Sequence, residues 1–153
     1  MRTLLKLFGF LVIAVGRVMA LIKATGYVAS PKPGDKAALA IAEKATRSLK
    51  AQPYWDRFTI DQAEGNMFSV TIHYKAAPPL GMVNAEADTK AMVRAILAEL
   101  IRTGHKPMDE YDSVFASAWQ DGRKGETGAA LVRVFGTAHY DFNNDQIAFT
   151  PEH

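Results

Sequence analysis

Met67-Phe68-Ser69-Val70-Thr71-Ile72-His73-Tyr74-Lys75 is the stretch that decides the fold class. Its apolar residues fall on every second position. Phe68, Val70, Ile72 and Tyr74 face one way, and Ser69, Thr71, His73 and Lys75 face the other. Successive side chains of a strand point to opposite faces of a sheet, so this segment reads as a strand with one buried and one wet side. A sheet covered on a single side points to antiparallel pairing, because all-parallel sheets are buried on both faces.

The neighbours of that strand extend the pattern. Glu64-Gly65-Asn66 is a turn, and Arg57 to Asp61 is a short strand before it. Further upstream, Pro53 stops a helix expected over Lys36 to Ala51. Asp35 is its candidate N-cap, and Ala37, Ala38, Ile41, Ala45 and Leu49 are its apolar positions. Downstream, Pro78-Pro79-Leu80-Gly81 breaks the chain. A long helix is expected next, capped by Asn84 and running to about Thr103. Met92, Ile96 and Leu100 form its stripe, widened by Val93, Leu97 and Ile101. Gly104 suits the position just past its end.

Two more strands follow, Tyr111 to Gln120 and Ala129 to Tyr140, joined by a Gly-rich hairpin loop over Asp121 to Gly128. In the second, Val132, Val134 and Ala138 alternate against Arg133, Thr137 and His139. Asp141 to Asp145 turns the chain into a short strand, Gln146 to Phe149. The expected fold class is therefore α+β: an N-terminal hydrophobic helix, then an α-β-β-α-β-β domain whose antiparallel sheet is covered by two helices.

Composition sets limits on function. Apolar residues are 48% and charged residues 22% of the 153-residue chain, which excludes a disordered protein. Lys and Arg number 18 against 16 Asp and Glu, and a net charge of +2 is too small to imply a nucleic-acid partner. There is no cysteine, so disulfides, thiolate nucleophiles, Cys-ligated metals and lipobox lipidation are all excluded.

Residues 1–24 differ from the rest. They carry Arg2, Lys6, Arg17 and Lys23 but no acidic residue, around an apolar run from Leu7 to Gly16. Leu4 to Ile22 is close to the ~20 residues that a membrane span requires. Lys6 and Arg17 lie about three helical turns apart, on one stripe. A helix lying in the interface would hold that stripe toward the headgroups and Phe8, Phe10, Leu11 and Val15 toward the acyl chains. The expected lipid-contacting residues are Leu4, Lys6, Leu7, Phe8, Phe10, Leu11, Val15 and Arg17. The same order of regions also fits a secretory signal cleaved near Ala20. Residues 25–34, with Pro31, Pro33 and Gly34, read as a linker, and 35–153 as the globular domain.

Candidate chemistry is sparse. His73 and His139 sit on strand faces read as exposed, and their rings would meet only if their strands were neighbours; two unrelated surface histidines are the plainer reading. Asp141-x-Asn143-x-Asp145 opens like a calcium loop, but Gln146 stands where such a loop needs Gly, and Asx-rich turns look alike. Asp109, Glu110 and Asp112 read as a solvated loop. No serine lies in Gly-x-Ser-x-Gly. Tyr111, Phe115 and Trp119 share one face of a strand whose other face, Val114, Ala116 and Ala118, is also apolar. The strand is thus either central and buried on both sides, or it carries an apolar contact patch.

The expectation that follows is a non-enzymatic envelope protein with no catalytic residue, metal or cofactor. The first segment anchors it in the inner membrane as a transmembrane signal-anchor, with lipid as one partner. The α+β domain faces the periplasm and binds protein, through Tyr111, Phe115 and Trp119, as an accessory subunit of a membrane assembly. The alternatives are a secreted periplasmic binding domain freed by signal cleavage, and a hydrolase with an unrecognised site.

Overall fold

The computed structural model describes residues 35–110, 112–124 and 130–152. The readings on residues 1–34, on Tyr111 and on the tip of the Gly-rich loop lie outside the described residues. Within them the fold is α+β. Helix α1 (Asp35–Ser48) is followed by strands β1 (Trp55–Glu64) and β2 (Met67–Tyr74), helix α2 (Met82–Arg102) and a single turn, α3 (Pro107–Glu110). Strands β3 (Ser113–Lys124), β4 (Ala130–Asp141) and β5 (Gln146–Pro151) complete it.

The five strands form one sheet in sequence order. The pairs β1–β2, β3–β4 and β4–β5 are antiparallel, whereas β2 and β3 run parallel. The expected antiparallel sheet is therefore corrected to a mixed one. The reason is the connection. Tight turns enforce antiparallel pairing, but β2 and β3 are joined through α2, and a helical crossover returns the chain in the same direction. Short hairpins in a sequence fix only the pairs they join.

Both helices lie on one face of the sheet. α1 packs on β1 and α2 on β3, β4 and β5, with the two helices against each other. The alternation of β2 explains this face: Phe68, Val70, Ile72 and Tyr74 are fully buried beneath the helices. Val114, Ala116 and Ala118 of β3 are small and equally buried, which lets α2 approach closely. From α1 come Ala38, Ile41, Ala42 and Ala45. From α2 come Ala85, Met92, Val93, Ile96 and Leu100. Ile101, expected to widen that stripe, is 62% exposed instead.

α2 starts two residues before Asn84, with Gly81 at the N-cap. Asn84 still serves the helix start, since its Oδ1 accepts the Leu80 N–H at 2.7 Å. At the other end Gly104 takes φ 92, a backbone conformation that costs a residue with Cβ. The N–H of His105 then reaches Leu100 O and that of Gly104 reaches Ile101 O, both at 3.0 Å, closing the helix as a Schellman motif.

One strand changes face part-way. Ala118 pairs with Gly136 but Trp119 pairs with Val134, so Phe135 is an extra residue in β4. This bulge turns Val134 to the side carrying Thr137 and His139, while Ala138 stays beneath the helices. The expected grouping of Val132 and Val134 with Ala138 fails for that reason. Phe135 is buried, its ring 5.5 Å from that of Tyr74, with the Arg133 guanidinium over it at 4.8 Å.

Candidate functional site: the sheet face without helices

The side of the sheet away from α1 and α2 carries its own network of side-chain contacts. Thr71 and His73 of β2 are 3% and 8% exposed on the face away from the described helices. Among the described residues, Thr59, Trp119 and Asp121 lie against His73, and Asp61 lies against Thr71. The expectation of an exposed His73 is thus corrected: on a central strand, flanking side chains close over a residue of this size. His139 lies on β4, two strands away and four positions along β3, since His73 is opposite Trp119 and His139 opposite Phe115. At ~4.8 Å per strand and ~3.3 Å per residue the two histidines are on the order of 16 Å apart. They form no joint site.

Phe115 and Trp119 do share this face, and both are half-buried. Their strand is central, yet it is buried on both sides only in part: one side lies fully under the helices, the other keeps aromatic surface in contact with water. The Phe115 ring lies near-parallel to that of His139, with centroids 6.4 Å apart. Trp119 meets His73 edge-on at 6.2 Å. Between them Ser117 and Thr137 share a hydrogen bond of 2.9 Å.

A polar chain crosses β1, β2 and β3 on the same face. Asp121 is acceptor-only, so His73 donates from Nδ1 to its Oδ1 at 3.1 Å. That tautomer leaves Nε2 as an acceptor for the Thr59 hydroxyl at 2.9 Å. On the far side Arg57 donates to the other Asp121 oxygen at 2.7 Å and to Asp56 at 2.6 Å. The hydrogen bond from Arg57, followed by that from His73, holds the Asp121 carboxyl below its ordinary range. Beside this chain Thr71 donates to Asp61 at 2.7 Å. The sequence reading missed the group because Asp121 was assigned to the loop. A signal was present: alternation puts Arg57, Thr59 and Asp61 on one face of β1, next to Thr71 and His73.

The remaining candidates have structural uses. Asp141 Oδ1 accepts the backbone N–H and the side-chain amide of Asn143 at 3.0 and 2.9 Å. Asp145 accepts from Tyr140 at 2.8 Å. The backbone bond to Asp141 is that of an Asx turn, the Tyr140 bond ties β4 to the same turn, and no cluster of three or more metal-ligating side chains occurs among the described residues. Glu110 is not solvated as expected. It accepts from the backbone N–H of Lys106 at 3.1 Å and lies 2.7 Å from His105 Nδ1. Asp112 is fully buried.

Grooves also lie on the other side of the domain among the described residues. One, of about 400 Å³, runs between α1 and α2 past Lys44, Glu99 and His105. Another, of about 280 Å³, is framed by Ile101, Met108 and Tyr140. No known protein family matches the chain, and neither the curated proteins nor the solved structures contain a significant match to it.

Proposed function

We propose that this is a membrane-attached envelope protein whose α+β domain binds a protein partner on the helix-free face of its sheet, as an accessory subunit of a membrane assembly. The observation that carries the reading is the pair Phe115 and Trp119, half-exposed on a sheet face that neither described helix covers. Aromatic residues are enriched at the buried centres of protein interfaces and polar residues at the rim, where the Arg57–Asp121 pair would lie. Five strands at ~4.8 Å and about eight residues at ~3.3 Å make this face on the order of 600 Å², near the ~800 Å² that each partner of a standard interface buries. Attachment is supported by the composition of residues 1–24, where apolar residues are flanked by bases alone. The domain is then periplasmic and the anchor lies in the inner membrane.

Affinity purification of the full chain in mild detergent tests this reading. A partner retained by the native chain and lost from Phe115→Ser and Trp119→Ser variants of unchanged circular dichroism supports it. A partner held equally by all three contradicts it.

One observation favours a second reading, a hydrolase. The Thr59, His73 and Asp121 side chains are joined in the order hydroxyl, imidazole, carboxylate, which is the order of a nucleophile, its base and the group that orients the base.

A further inference from the structure

Three strands each contribute one member of the polar chain on the helix-free face. Thr59 stands on β1, His73 on β2 and Asp121 on β3. Their order in space follows from the sheet: β2 lies between β1 and β3, so the imidazole lies between the hydroxyl and the carboxylate. Each member is in a state suited to its place. Thr59 is exposed and within reach of an incoming molecule. His73 is 8% exposed, so its ring is fixed by packing and by two hydrogen bonds. Asp121 is tied on its second oxygen by Arg57.

We propose that Thr59 is the nucleophile of an acyl-transfer site, with His73 as its base and Asp121 as a positioning residue, acting on esters whose apolar acyl group lies against Trp119. The proposal rests on the hydrolase reading and not on membrane attachment or partner binding. In the first step the Thr59 oxygen bonds to the ester carbonyl carbon while its proton passes to His73 Nε2. The tetrahedral centre then collapses, the carbon–oxygen bond to the alcohol breaks, and the alcohol leaves with the proton from Nε2. Water attacks the acyl-Thr59 ester, giving a proton to Nε2. The carboxylic acid departs as Thr59 recovers that proton. No oxidant or further reactant is needed.

Two features choose the substrate class. Trp119 sits edge-on to His73 at 6.2 Å and offers an apolar surface beside the base. Among the described residues β1 is an edge strand, paired with β2 alone, so alternate backbone N–H groups along it are not used in the described sheet and could meet a carbonyl oxygen. Both belong to an open surface, which suits an ester presented at the edge of the domain.

The test uses the purified full chain, an alkyl fluorophosphonate and p-nitrophenyl butyrate. The fluorophosphonate is expected to leave one adduct, mapped to Thr59 by peptide mass. The adduct should vanish in Thr59→Val and His73→Gln and persist in Thr59→Ser. Ester turnover should fall on the order of 100-fold in the first two variants, the scale of a lost nucleophile–base pair. Asp121→Asn should lower kcat for ester turnover with KM little changed, because the imidazole is no longer held in the tautomer that accepts the Thr59 proton. A merely structural Asp121 would leave kcat in place in the folded variant. Turnover that survives Thr59→Val but not His73→Gln would overturn Thr59 as nucleophile and leave the hydrolase reading standing. An adduct elsewhere would also overturn the proposal. Neither adduct nor turnover above buffer would overturn both.

Discussion

Tyr74 donates its phenolic hydrogen bond to Asp88 Oδ2 at 2.8 Å, tying the central sheet to the helix that crosses over it. The same oxygen accepts from Trp55 Nε1 at 2.9 Å and from Tyr54 at 3.0 Å. A carboxylate that is 7% exposed is costly to bury, and three donors offset that cost. The arrangement joins β1, β2 and α2 at one point. It also fixes where α2 sits on the sheet.

Asp88→Ala is expected to destabilise the domain by about 3 kcal/mol or more, because it leaves buried donors without an acceptor. Asp88→Asn keeps an acceptor oxygen and should cost about 1 kcal/mol. Urea denaturation followed by tryptophan fluorescence measures both. Equal losses in the two variants would show that the hydrogen bonds do not carry the stability.

The same contacts set an alkaline limit. Burial, then the Asp88 charge, then the hydrogen bond to it push the Tyr54 phenol up to about 12. Tyr74 is raised by the same three causes in the same order, and then by Tyr54. An unfolded tyrosine titrates near ~10, so between the two values the folded state holds protons that the unfolded state has lost. The resulting stabilisation is complete below about pH 10 and falls away as pH rises through about 12. Phenolate absorbance against pH should show Tyr54 titrating late in the native chain and earlier in Asp88→Asn.

Gly136 sits where β4 bulges, and a Cβ there would lie 2.5 Å from the Phe149 ring and 2.6 Å from Thr150 O. Gly136→Ala should destabilise by about 1–3 kcal/mol. Adding Phe149→Leu should recover only part of that, since the backbone carbonyl of Thr150 stays in place. Thermal melts of the single and double variants check this. A neutral Gly136→Ala would show that β5 shifts away freely.

Much of the architecture could be read in the chain. The period of Phe68 to Tyr74 gave a strand, a buried face and the side on which helices lie. Gly104 marked a helix end because only its φ of 92 closes that turn. The parallel pairing of β2 and β3 was legible in the order strand, helix, strand, but the antiparallel expectation generalised from the hairpins on either side, which fix only the pairs they join. The bulge at Phe135, which resets alternation by one residue, was not legible. The candidate site was half legible. Phe115 and Trp119 follow from period two, whereas the link from Thr59 to Asp121 spans 62 residues and exists only once β2 is set between β1 and β3.

Membrane attachment has its own check. Residues 1–24 are expected to remain on the mature protein and to resist carbonate extraction, as shown by intact mass and by fractionation. A soluble product beginning after Ala20 would assign the segment to a cleaved signal and the domain to a secreted module.

The central claim is that the helix-free face receives a protein partner. A photo-crosslinking amino acid placed at Trp119, in native membranes, addresses it most directly, with Leu39 on the exposed side of α1 as the control. The account predicts one discrete crosslinked product from position 119 and none from position 39. No product from 119, or the same products from both positions, would contradict it.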